Sequence, residues 1–129
     1  MKKLFIIGFC FLLMGCSDAR LRDAEICIER LNWGYTAIME RVSTADAEVQ
    51  QVVQAEALRC SEAMFRLASY AILYRKTGSV IMTRVEVIRL ETMVQRTNTA
   101  FRRLHNKAEE LGVDLSDVEL PKNLLMTNP

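Results

Sequence analysis

Apolar side chains recur along most of this chain at alternating steps of three and four residues, the period of one buried helix face. Leu21, Ala24, Ile28, Leu31, Tyr35, Ile38 and Val42 form a first seam. Val49, Val53, Glu56, Cys60, Ala63, Leu67, Tyr70 and Tyr74 form a second. Thr83, Val87, Leu90, Val94, Thr97, Phe101, Leu104, Ala108 and Leu111 form a third. The rhythm breaks at Ser43-Thr44, where Ser43 and Asp46 resemble an N-cap pair, and again at Thr77-Gly78-Ser79. It stops at Gly112, a natural residue for the position after a helix. The only prolines are Pro121 and Pro129, so nothing forbids helix before them. The pattern predicts an all-α protein, a small three-helix antiparallel bundle with helices over about 18–42, 45–76 and 80–111.

Ahead of the first seam lies a segment of another kind. Met1-Lys2-Lys3 is a short positive head, and Leu4 to Leu13 is an apolar run of about ten residues. A bilayer span needs about twenty. The segment closes on Leu13-Met14-Gly15-Cys16, which resembles the lipobox of bacterial lipoproteins. That resemblance implies diacylglyceryl transfer to the Cys16 thiol, cleavage before Cys16 and acylation of the new amino group. It divides the chain into a signal peptide over 1–15, a helical domain over 16–112 and a C-terminal tail over 113–129. In Gram-negative lipoproteins an Asp just after the lipidated Cys favours the inner membrane. Ser17 holds that position here, which points to the outer membrane, periplasmic face.

Removing 15 residues from 129 leaves 114, enough for one small domain. Lys2 and Lys3 leave with the signal, so 17 basic residues become 15 against 16 acidic ones, a net charge of −1. No basic field exists to hold nucleic acid.

Cys27 and Cys60 are the thiols left in the mature chain, and the signal sends them to an oxidising compartment. A disulfide between them is the expected state. An antiparallel turn centred between Ser43 and Thr44 brings together residues whose numbers add to 87, and 27 and 60 do so. Such a bridge adds roughly 3–4 kcal/mol in the chain-entropy account.

Candidate chemistry is sparse. His105 is the only histidine, on what reads as an exposed turn, with Glu109 one turn on; that pair makes a poor metal site. Cys27 and Cys60 lack CxxC spacing, no glycine-rich phosphate loop occurs, and Asp114, Asp117 and Glu119 lack the spacing of a calcium loop. No catalytic residue, metal site or cofactor is assigned, and the expectation is a protein that is not an enzyme. Glu56 is the polar oddity of the second seam. Asn32, Tyr35, Arg102 or Arg103 could satisfy it, or it could reach the bundle edge; otherwise it sets register or meets a partner.

Surplus apolar residues are the stronger functional clue. Leu58, Phe65 and Ile72 line up seven apart off the second seam. Ile81, Val85 and Ile88 lie off the third, and Ile26 and Trp33 off the first. A second stripe is either ordinary core shared between two neighbours or a surface for self-association or docking, with Trp33 and Phe65 as anchors. The second helix is also longer than the first, about 31 residues against about 24, an overhang of roughly 10 Å. The Gly78 turn, with Tyr70, Tyr74, Arg75, Lys76 and Arg84, should therefore lie at the membrane end, and Ser43-Thr44 and the tail at the far end. Tail residues Leu120, Leu124, Leu125 and Met126 offer some apolar surface, and Ser116 with Glu119 could cap a short turn.

These features converge on a lipid-anchored, periplasm-facing helical interaction module, held to the membrane by its acyl chains and meeting a protein partner. The job could be that of an assembly accessory or pilot, or of an exclusion lipoprotein. A self-associating structural envelope lipoprotein is the alternative, and a small envelope enzyme is the weakest reading.

Overall fold

The computed structural model describes residues 2–77 and 82–120, with side chains described for 19–76 and 82–120. Three helices follow one another: α1 over Lys2–Ser43, α2 over Ala47–Thr77 and α3 over Arg84–Glu110. Each packs on the other two, and among the described residues there is no strand. The all-α bundle anticipated from the periodicity is therefore the observed fold. Among the described residues, no helix is long and apolar enough to cross a membrane. Helix α1 begins well before the expected residue 18, because nothing in the apolar run interrupts the backbone ladder.

The helix ends show how local chemistry sets the boundaries. Ser43 belongs to the end of α1: its hydroxyl donates to the Glu40 carbonyl, and the Thr44 hydroxyl donates to the Arg41 carbonyl at 2.9 Å. The Gln50 side chain reaches back from α2 to the Ser43 and Ala45 carbonyls at 3.0 and 2.9 Å, closing the turn. Ser43 thus does not cap α2, which starts at Ala47 directly after Asp46.

Helix α3 starts at Arg84 rather than residue 80. Thr83 is its N-cap: the Thr83 hydroxyl accepts the Glu86 N–H, and the Glu86 carboxylate accepts the Thr83 N–H, both at 3.2 Å. This reciprocal box fixes the first turn and removes Thr83 from the seam. At the other end Gly112 takes φ +92°. Its N–H bonds the Glu109 carbonyl and that of Val113 bonds the Ala108 carbonyl, each at 3.0 Å, the double closure that favours glycine after a helix.

Long-range contacts give the register. Arg20 meets Glu91 and Cys27 meets Asn98; in both pairs the second number less the first is 71, so α1 and α3 run parallel. The Thr97 hydroxyl lies 3.3 Å from the Ala63 carbonyl, and the Tyr70 hydroxyl donates to the Glu86 carbonyl at 3.4 Å, so α2 runs antiparallel to α3. These two pairs add to 160 and 156. With the offset of 71, facing residues of α1 and α2 add to 89 or 85; the observed turn, between Ser43 and Ala47, sets 90 rather than the expected 87.

The core is continuous from Ala24 to Leu115. Most seam positions are buried in it, joined by Cys27, Ala57, Met64 and Ala71 one step beside the seam. Gly34 lets α1 approach α3: a Cβ there would lie 2.6 Å from Cζ of the buried Phe101 ring.

Candidate functional site

The residues that could act fall into three sets: the thiols, the buried polar groups of α3 and the exposed apolar chains.

The expected Cys27–Cys60 disulfide is not present. Both residues are free thiols, fully buried. The Cys27 thiol donates to the Asn98 side-chain oxygen of α3 at 3.5 Å, and the Cys60 sulfur lies 3.8 Å from the Met64 sulfur one turn along its own helix. The register argument compares heights only. Cys27 turns to Asn98 of α3 and Cys60 to Met64 of its own helix, so similar height does not bring the sulfurs together. Burial pushes the Cys27 thiol up to about 11, Arg30 opposing it slightly, and the Cys60 thiol up to about 12. Neither is a nucleophile near neutral pH.

His105 is not on an exposed turn; it is only 4% exposed. Residues 113–118 fold back over it, and its Nε2 lies 3.1 Å from the Val118 carbonyl. Its Nδ1 has no hydrogen-bond partner and is 3.9 Å from Glu109. Thr97 and Asn98 are also buried on this face, Thr97 donating to the Met93 carbonyl at 2.7 Å. Glu56 meets neither Asn32 nor Tyr35. It leans to the bundle edge, where Arg59 lies 3.5 Å from one oxygen, and the other oxygen is buried without a partner. Among the described residues no group of three His, Cys, Asp or Glu could hold a metal ion.

The segment after α3 was hardly legible beforehand. Leu115 is 1% exposed, plugging the distal end of the core. Arg41 of α1 grips Asp117 with both terminal nitrogens and donates to the Asp114 carbonyl at 3.2 Å. The hydrogen bonds from Arg41 hold the Asp117 carboxyl below its ordinary range, and those from Ser116 do the same for Asp114. The acidic run is therefore a clasp.

The surplus apolar residues are on the outside. Trp33 is 78% exposed and Phe65 73%, and Leu58, Ile72, Val85 and Ile88 are exposed as well. Ile81 lies outside the described residues, as does Gly78, and the side chain of Cys16 is not described. Leu58, Phe65 and Ile72 form one line on α2, about a third of a turn from its core line, on the flank nearer α1. Trp33 faces elsewhere: with Ile26, Phe101, Val118 and Leu120 it lines a groove of about 1200 Å³ between α1, α3 and the returning segment. Leu73, on neither predicted stripe, is exposed too. Trp33 and Phe65 thus belong to separate surfaces rather than one docking face. No family model, curated protein or solved structure matches the chain.

Proposed function

We propose that this chain is a lipid-anchored helical interaction module of the bacterial envelope, acylated at Cys16 and facing the periplasm from the outer membrane. It is non-enzymatic, an accessory to an envelope assembly or an exclusion lipoprotein. The lipobox supports the anchor. The observation that carries the interaction role is the line Leu58, Phe65 and Ile72, left in solvent by a bundle whose core is already closed. A surface of this kind on a small domain suits a second helix laid along α2.

Cross-linking in native envelopes, with the full chain and its Phe65→Ala and Trp33→Ala variants, tests this reading. Loss of a defined partner on Phe65→Ala, with Trp33→Ala unaffected, is the expected result. An unchanged set of cross-links in both variants overturns it. The seven-residue spacing of the α2 line also favours the alternative, a self-associating structural lipoprotein. In that case the lost cross-link is to a second copy of this chain.

A further inference from the structure

The two ends of the bundle differ in one respect that bears on anchoring. Extending the offset of 71 one turn beyond Arg20 puts Cys16 level with Val87 of α3, and α1–α2 sums of 85 to 90 put it level with residues 69–74 of α2. Four exposed apolar residues lie close to that height. Ile72 and Leu73 are near the end of α2, and Val85 and Ile88 are in the first turns of α3. Each is within about three residues of the Cys16 level, roughly 5 Å along the axis.

The charges around this end are arranged to match. Three acidic groups near it are engaged inside the protein: Glu25 with Arg75 at 2.7 Å, Glu91 with Arg20 at 2.9 Å, and Glu86 in the Thr83 cap. The first of these pairs also shows how the helices brace one another. The two numbers add to 100, beyond the register of 85 to 90, so Glu25 reaches toward the tip and Arg75 away from it for the pair to meet. Lys76 and Arg84, by contrast, are exposed at the extreme end. Tyr70 and Tyr74, expected at the membrane end, turn partly inward, with rings 5.1 Å apart.

We propose that Ile72, Leu73, Val85 and Ile88, with Lys76 and Arg84, form a collar that rests in the headgroup layer of an anionic lipid surface when Cys16 is acylated. The inference rests on the anchoring reading above and adds a contact to it. Acyl chains leaving Cys16 hold this height of the bundle against the bilayer, so the residues level with it meet lipid before they meet anything else. Apolar chains interspersed with cations suit that layer. A lipid-held collar would fix the tilt of the bundle and aim the Leu58–Phe65 part of the α2 line away from the membrane.

The single native tryptophan makes a test. Trp33 is 17 residues beyond Cys16, about 25 Å further along α1, and reports the bundle's far side. The full acylated chain carrying Trp33→Phe with Leu73→Trp, and separately with Ile88→Trp, would be reconstituted in phosphatidylethanolamine–phosphatidylglycerol vesicles containing brominated acyl chains. Both positions are exposed, so the new rings need displace no core. The expected result is a blue shift and loss of most emission from the introduced tryptophan, with Trp33 in the parent unquenched. Adding Lys76→Glu and Arg84→Glu should weaken that quenching. Intact mass separates the two ideas. An acylated chain whose introduced tryptophans stay as solvent-like as Trp33 overturns the collar and leaves the anchor standing. A chain without acyl mass removes both.

Discussion

The distal and proximal ends of this bundle are built from the same three helices and treated in opposite ways. At the distal end the Ser43–Ala47 turn is bonded shut, Gly112 closes α3, Leu115 plugs the core and Arg41 clasps Asp117. At the proximal end Ile72, Leu73, Val85 and Ile88 remain in solvent. Among the described residues, one end is closed by its own side chains and the other leaves four apolar side chains in solvent.

The largest expected difference between the ends is in stability. Leu115→Ala removes a buried side chain and should destabilise the domain by about 2–5 kcal/mol. Leu73→Ala, in solvent, should shift it by less than about 0.5 kcal/mol. Urea unfolding of the two variants compares them directly, and similar losses would erase the distinction drawn above.

Next in size is the α1–α3 approach. Gly34→Ala gains about 1 kcal/mol of helix propensity but presses a methyl onto Phe101, an overpacking of about 1–3 kcal/mol. A net loss is expected, and Phe101→Leu in the same chain should recover part of it. The proximal cap is smaller: Thr83→Ala should cost about 1 kcal/mol, visible as faster amide exchange in the first turn of α3.

The thiols give a chemical readout. A reductant should leave the unfolding midpoint unchanged, and alkylation near neutral pH should label Cys27 and Cys60 only in denaturant. Their folded-state values lie above 9.0, so the stability they contribute is complete below pH 9 and declines as pH rises towards 11 and 12.

The smallest effect belongs to the clasp. Asp114 and Asp117 are lowered in the folded state, so their contribution is present above the ordinary value of 3.8 and is lost as pH falls below it. Asp117→Asn should remove most of that acid sensitivity, read by amide exchange over residues 113–118.

Much of the architecture was legible because burial follows period. The first and third seams, the Ser43-Thr44 break and Gly112 follow from spacing and turn chemistry; on α2 the buried line of Val53, Ala57, Cys60, Met64, Leu67 and Ala71 runs partly beside the predicted seam, and spacing left the exposure of Trp33 and Phe65 open. The Thr83–Glu86 box was also written in the sequence, but Thr83 fits the heptad as well as it fits a cap, and the periodicity drew it inside the helix. Azimuth was the harder quantity. Cys27 and Cys60 lie at similar heights, but Cys27 turns to Asn98 of α3 and Cys60 to Met64 of its own helix, which spacing alone does not reveal. The segment from Val113 to Leu120 has no period to read; a single Leu115 and two aspartates hold it, and such contacts depend on where Arg41 and His105 already lie.

The parallel pairing of α1 with α3 has a mechanical consequence. Arg20 with Glu91 and Cys27 with Asn98 tie the two helices, and Arg41 with Asp117 ties the end of α1 to the segment that follows α3. A pull applied at the start of α1 is met by all of these contacts together, in shear, rather than by one at a time. A domain tethered at that point would resist detachment of its first helix far better than one whose tether enters across a hairpin and peels it open.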